Sequence, residues 1–221
     1  MAILELKDVS YRYGAGKKEV VKHVNVSFEQ GTFYVIIGRS GSGKSTLLSL
    51  MAGLDLPTEG NVIFDGSTTA QMDLDEYRRK HAAVVYQDFS LFPLLTVLEN
   101  IMYPMELCRV GKDAMKRDAR MLAESVGLPQ ELWNRFPGKI SGGEQQRCAV
   151  ARALAMDRRL ILADEPTGNL DSENSDTIIS LLSKLAHEQN RCVITVTHDL
   201  FVMEKADQVY RMQDGVLERY R

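Results

Sequence analysis

Gly38-Arg39-Ser40-Gly41-Ser42-Gly43-Lys44-Ser45 follows directly on the apolar run Phe33 to Ile37. A phosphate group carries about two negative charges and presents oxygens on every side. Glycines let backbone N–H groups converge on such a group without a Cβ in the way, and a helix beginning at the loop adds its positive end. Lys44 supplies a compact cation for β- and γ-phosphates, and the Ser45 hydroxyl is a ligand suited to Mg²⁺. A second glycine-bearing segment, Ser141-Gly142-Gly143-Glu144-Gln145-Gln146-Arg147, has the spacing of a helix capping box between Ser141 and Glu144. Two glycines in a first helical turn cost propensity. That cost is explained if the backbone must come close to a phosphate. Further along, Leu160-Ile161-Leu162-Ala163 ends in Asp164-Glu165. A carboxylate emerging at a strand end can hold Mg²⁺ through water, and the next one can orient or deprotonate an attacking water.

These groups need elements to hold them. Leu4 to Val9 and Val20 to Phe28 read as strands of an antiparallel layer, turning at Gly14-Ala15-Gly16. Thr32 to Ile37 is apolar or aromatic enough to be a strand buried on both faces, and Leu160 to Ala163 and Cys192 to Thr197 read as further strands. A helix is expected from about Lys44 to Ala52, ended by Gly53, with a short strand over Asn61 to Asp65. Helices follow over Gly142 to Met156 and Ser172 to His187, and Gln208 to Met212 reads as a last strand before a hairpin turn at Asp214-Gly215. From Phe89 to Lys139 strand signals vanish. Pro93 and Pro104 punctuate this stretch, and Asp113 to Val126 carries a helical pattern, which together suggest a helical insert. Strand–helix alternation elsewhere implies a mainly parallel sheet with its chemistry at the strands' C-terminal ends.

Composition narrows the function classes. The 221 residues are 44% hydrophobic and 26% charged, with a net charge of −3, so they suit one large α/β domain and show no global basic excess for nucleic acid. No apolar stretch approaches the ~20 residues of a membrane span, and the start lacks the pattern of a signal peptide. Cys108, Cys148 and Cys192 form no Cys-x-x-Cys pair and read as buried reduced thiols.

In motif order and spacing nearly the whole chain resembles the ATP-binding cassette (ABC) ATPases. Ile140-Ser141-Gly142-Gly143-Glu144-Gln145 is similar to the family signature, with Ile140 in place of the commoner Leu. The resemblance implies a P-loop NTPase of the ABC ATPase fold, α/β, with a mainly parallel core sheet, an antiparallel N-terminal β layer and an inserted helical subdomain. In that frame residues 1–221 are a single domain, with 1–88 and 141–221 forming the core and β layer and about 89–140 the helical part. It implies ATP and Mg²⁺ as cofactors. Gly38, Arg39, Ser40, Gly41, Ser42, Gly43, Lys44, Ser45 and Thr46 would bind nucleotide, with Tyr13 stacked on adenine. Arg39 stands where the family often has Pro. Gln87, after Val84-Val85-Tyr86, matches a loop glutamine that senses Mg²⁺ and a membrane partner. Ser45, Gln87 and Asp164 would serve the metal, and Glu165, His198 and Lys44 the catalysis. Gly168-Asn169-Leu170-Asp171 matches the D-loop. Ser141, Gly142, Gly143, Glu144 and Gln145 would meet the ATP of an opposite subunit, which makes a homodimer the expected ATP-bound state.

The runs Ala163 to Asp171 and Thr96-Val97-Leu98-Glu99-Asn100 are similar to the subgroup serving lipoprotein release, macrolide export, antimicrobial peptide export and cell division. Its members pair with an integral membrane permease, so the expected place is the cytoplasm, at the inner face of the membrane. The expected role is driving export or extraction of a hydrophobic, peptide or lipoprotein substrate. A cell-division-type regulator that signals without transport is the alternative. Soluble ABC ATPases of DNA or ribosomes fit less well, because they usually carry two cassettes or a long insert. Phe89, Leu91, Phe92, Leu94 and Leu95 form an apolar cluster beside Gln87, suited to docking a permease helix.

Overall fold

A computed structural model describes residues 2–14 and 18–221. In chain order it begins with strands β1 (Ala2–Arg12), β2 (Glu19–Glu29) and β3 (Thr32–Ile37), then helix α1 (Lys44–Met51) and strands β4 (Glu59–Phe64) and β5 (Ser67–Thr68). Helix α2 (Leu74–Lys80), strand β6 (Ala82–Val85) and helices α3 (Val97–Leu107), α4 (Lys112–Ser125) and α5 (Gly142–Leu154) come next. The last elements are β7 (Leu160–Asp164), α6 (Ser172–His187), β8 (Cys192–Thr197), α7 (Leu200–Glu204), β9 (Gln208–Gln213) and β10 (Val216–Arg219). The chain divides into two compact units, Met1–Val84 with Arg158–Asp164 and Ser183–Arg221, and Val85–Asp157 with Glu165–Leu182.

The first unit is built on two sheets. An antiparallel layer runs in the order β2-β1-β4-β5, and a six-stranded sheet runs β10-β9-β3-β8-β7-β6. β3 pairs in parallel with both β8 and β9, and β7 pairs in parallel with β8; only the β9–β10 hairpin, among the pairings described in this sheet, is antiparallel. The expected mainly parallel core and antiparallel N-terminal layer are both present. Ala15 and Gly16 of the expected first turn lie outside the described residues. The second turn is as expected: Asp214 and Gly215 have φ of 50° and 87° and join Gln213 to its partner Val216, the backbone of a two-residue hairpin loop.

β3 and β8 are rich in apolar residues because both faces are covered, with Thr195 and Thr197 as buried polar exceptions on β8. Phe33 to Ile36 and the whole of β8 are buried. Phe28 and Tyr34 meet edge to face at 4.9 Å, worth about 0.5–1.5 kcal/mol beyond area burial. Burial pushes the Tyr34 phenol up, and its hydroxyl accepts the Glu29 N–H at 2.8 Å, so the one polar atom brought into this cluster is satisfied.

In the second unit Pro104, read from the sequence as punctuation, marks no boundary between elements. It lies inside α3, three residues before the helix ends. A Pro there forfeits one helical hydrogen bond. The helix is started firmly enough to absorb that, by a capping box in which Thr96 Oγ1 accepts from Glu99 N while Glu99 accepts from Thr96 N at 2.8 Å. Bonds from the Thr96 backbone and hydroxyl also hold the Glu99 carboxyl below its usual pKa. The thiol expectation holds for Cys148, which burial pushes up to about 12, and for Cys192, also raised; Cys108 is only partly buried.

Asn100 organises the segment ahead of α3. Fully buried, its side chain accepts from Phe92 N at 2.8 Å and donates toward Phe92 O, Leu95 O and Thr96 O at 3.0–3.2 Å. Arg152 reaches the same segment, donating to Phe89 O at 3.0 Å and to Ser90 O at 2.6 Å, with its guanidinium 5.7 Å from the Phe92 ring centre. Removing the amide takes this partner from Phe92 N and Leu95 O, while Phe92 O keeps the Leu95 N–H and Thr96 O keeps the Asn100 N–H. Asn100→Ala is expected to cost about 2–3 kcal/mol in a urea unfolding titration. A loss below about 1 kcal/mol would show that other contacts hold the segment.

Candidate functional site

In the first unit the parallel register brings the chemistry to one edge. Ile37 at the end of β3 lies beside Thr197 at the end of β8, so Gly38 and His198 leave the sheet together. Asp164, the last residue of β7, pairs with Val196, one residue earlier on β8. Gly38 to Ser42 and His198 line one cleft of about 580 Å³, with Leu200, Arg211 and Asp214 among its other walls.

The loop itself has little freedom to be anything else. A Cβ on Gly38 would come 2.4 Å from Met212 O, and one on Gly43 would come 2.6 Å from Val20 O. Gly43 also has φ 106°, which L side chains rarely adopt. It precedes α1 with no side-chain cap, leaving the first-turn N–H groups as donors for an anion. Lys44 is buried, and its Nζ donates to Gly38 O at 2.8 Å and Arg39 O at 3.1 Å. The side chain thus curls back over the loop, placing its ammonium at the loop's mouth. Ser45 is exposed, Thr46 is buried, and Arg39, Ser40 and Gly41 face outward. Tyr13 comes just after β1, with 47% of its surface exposed and its hydroxyl 2.9 Å from Thr46 Oγ1.

In the second unit Gly142 and Gly143 open α5. The capping box read from the sequence is formed: Ser141 Oγ accepts from Glu144 N at 3.3 Å, and Ser141 N donates to Glu144 Oε2 at 2.6 Å. Gly143 is a close-approach position, since a Cβ there would stand 3.3 Å from Leu170 Cδ2 and 3.4 Å from Asn169 O. The segment around Gly143 and the one around Asn169 and Leu170, far apart in sequence, therefore pack together. Asp171 stands immediately before α6 and accepts from Asn174 N at 2.9 Å; the Asn174 bonds and then the Arg147 charge hold its carboxyl below the usual range. Gln87 is exposed and shares a cleft of about 550 Å³ with Phe89, Gln145 and Asn169. Glu165 is buried and has φ 46°, a left-handed backbone uncommon outside glycine. Such strain persists where surrounding structure enforces it, and it gathers at functional positions.

Of the residues named from sequence, Tyr13, Gly38 to Thr46, Asp164 and His198 belong to the first unit, and Gln87, Ser141 to Gln145, Glu165 and Asp171 to the second. Sequence reasoning misses two organisers. Asn100 enters it only as part of the run Thr96 to Asn100, and its capping-box neighbour Glu99 is the available hint of a helix there. The Thr46 hydroxyl as partner of Tyr13 leaves no signal, because 33 positions separate the two.

A family description, ABC transporter, matches residues 21–168. YclH, an ABC transporter ATP-binding protein of Bacillus subtilis, is 37% identical over 215 residues, covering 97% of this chain and 95% of YclH. The lipoprotein-releasing system ATP-binding protein LolD of Saccharophagus degradans is 42% identical over 212 residues, covering 95% of this chain and 92% of LolD. The solved dimeric structure of the ABC transporter cassette MJ0796 has a TM-score of 0.92 at 38% identity, covering 99% of both chains. A dimeric post-hydrolysis state of the same cassette, bound to ADP and Pi, has a TM-score of 0.93. With a phosphate-shaped loop on one unit and a capped, glycine-opened helix on the other, this chain belongs to the ABC transporter family, as one of its ATP-hydrolysing cassettes.

Proposed function

We propose that two copies of this chain close around two ATP molecules and thereby drive a membrane permease that exports or extracts a hydrophobic, peptide or lipoprotein substrate. Each ATP is gripped by Gly38 to Thr46 of one copy and by Ser141 to Gln145 of the other. Lys44 neutralises the phosphates, and His198 contacts the γ-phosphate. Ser45, Asp164 and Gln87 offer the hard oxygen ligands that Mg²⁺ takes alongside phosphate oxygens and water. Glu165 takes the proton of the attacking water. Asp171 carries the D-loop contact between copies. The 221 residues work as one ATPase domain in the cytoplasm, held at the inner face of the membrane by the permease.

The observation that carries this reading is the loop geometry: Lys44 is folded over an uncapped helix start at which Gly38 and Gly43 have no room for side chains. The dimeric MJ0796 structures and the lipoprotein-releasing LolD relatives support the pairing of copies and the substrate class. No described helix is long and apolar enough to cross a membrane.

The docking surface is the 89–95 segment. Leu94 is 86% exposed and Phe92 39%, on backbone fixed by Asn100 and Arg152. An apolar side chain held rigidly in water suits a partner helix. Leu94→Asp is expected to leave ATP turnover of the isolated cassette within about two-fold, since the side chain touches no nucleotide group, and to lower permease-dependent substrate release more than about ten-fold. Unchanged release by Leu94→Asp in reconstituted membranes would remove the docking assignment.

A further inference from the structure

Tyr13 lies just past the end of β1, beyond the ladder that fixes its neighbours, yet its ring is held at two points. Its hydroxyl is 2.9 Å from Thr46 Oγ1. Its ring packs edge to face with that of Tyr11, with centroids 5.0 Å apart and an interplanar angle of 88°. Thr46 is the third residue of α1, buried, in the same turn as Lys44 and Ser45. The hydroxyl contact therefore ties an aromatic ring, half exposed, directly to the helix turn that carries the phosphate-binding groups.

Two interactions of this kind change what the ring can do. A tyrosine free to rotate offers a base only the fraction of time it spends in the stacking pose, and stacking must then also overcome the entropy of ordering it. A ring pinned at its hydroxyl and by its neighbour stands at a fixed distance from the phosphate loop. The spacing between a flat base and a triphosphate becomes a property of the protein.

Resting on the reading of Tyr13 as the adenine platform, we propose that the Tyr13–Thr46 hydroxyl contact is a positioning device that sets how strongly this cassette prefers a nucleoside triphosphate over bare triphosphate. Thr46 acts on the base through Tyr13, and Tyr13→Phe keeps the stacking surface while removing the tie.

The test measures Mg²⁺-dependent binding of ATP and of inorganic tripolyphosphate by calorimetry to the whole chain and to four variants: Tyr13→Phe, Tyr13→Ala, Thr46→Val, and Tyr13→Phe combined with Thr46→Val. The quantity read is the ratio of the two affinities. Tyr13→Phe is expected to lower that ratio about three- to ten-fold, the size of one net hydrogen bond, with tripolyphosphate affinity unmoved. In the Thr46→Val background the same change is expected to have no further effect, because the tie is already gone. A Tyr13→Phe ratio equal to that of the unaltered chain, with a lowered ratio for Tyr13→Ala, would overturn the tie and keep the platform. An equal loss from Tyr13→Phe in both backgrounds would likewise overturn it. A Tyr13→Ala ratio unchanged from the original would overturn the platform itself, and the tie with it. Thermal unfolding of each variant separates these outcomes from loss of fold: the half-exposed Tyr13 side chain beyond the strand end carries little of the core, and valine keeps the size of the buried Thr46.

Discussion

Replacing Glu165 with glutamine is expected to lower steady-state ATP turnover by about 10²–10⁴-fold and to convert the ATP-bound protein into a lasting dimer. Glutamine keeps the length, shape and hydrogen-bonding reach of glutamate but cannot accept a proton, so the attacking water loses its base. The substitution is also fair to the fold. Position 165 has φ 46°, a conformation equally awkward for both side chains, so backbone strain is the same before and after. ATP still binds, because the loop from Gly38 to Thr46 is untouched. With hydrolysis blocked, nothing removes the γ-phosphate that, in the proposed clamp, joins the loop of one copy to the Ser141–Gln145 segment of the other. Light scattering should then give twice the monomer mass with ATP and Mg²⁺, and the monomer mass with ADP. A population that stays monomeric under saturating ATP would sink the clamp mechanism, and turnover reduced less than about ten-fold would move the general base elsewhere.

The elements and residues that chemistry constrains locally were the ones readable from the chain. β3, β8 and α6 begin and end where their sequences suggest, because the two strands are short runs of apolar and β-branched residues and α6 has a regular apolar stripe. The phosphate loop was legible because every group it needs comes from one continuous stretch. α2 was not, since Leu74 and Tyr77 are too few to show a stripe; Asp73, whose side chain accepts from Asp75 N and Glu76 N, is the cap that could have announced it. α3 was obscured by Pro104, although Thr96 and Glu99 spell a capping box eight and five residues earlier. At the site, the packing of Gly143 on Asn169 and Leu170 was invisible for a different reason. Sequence records which residues are small, but the identity of the atom they make room for depends on the fold. The same holds for the three carbonyls gathered by Asn100 and for Thr46 beneath Tyr13.

Lys44→Met is expected to reduce ATP turnover by at least about 100-fold, for two reasons that can be told apart. Methionine retains most of the buried stem, so packing around α1 survives. What disappears is the ammonium, and it has two employments. It donates to Gly38 O and Arg39 O, which braces the loop, and in its proposed role it would face the β/γ-phosphate charge with what remains of its three donors. Loss of the brace alone would weaken every nucleotide by a similar factor, whatever its number of phosphates. Loss of the cation falls hardest on the ligand with the most negative charge. The affinity for ATP should therefore drop at least about ten-fold more than the affinity for AMP, a charge-assisted contact of about 1.5–3 kcal/mol set against none. Equal losses for ATP and AMP would reduce Lys44 to a brace. Turnover must fall further than binding, because charge on the transferring phosphoryl group and its leaving oxygen is largest in the transition state, where a fixed cation does most. A variant whose kcat is unchanged at saturating ATP would mean that Lys44 binds without catalysing, and the phosphoryl group would need another source of positive charge.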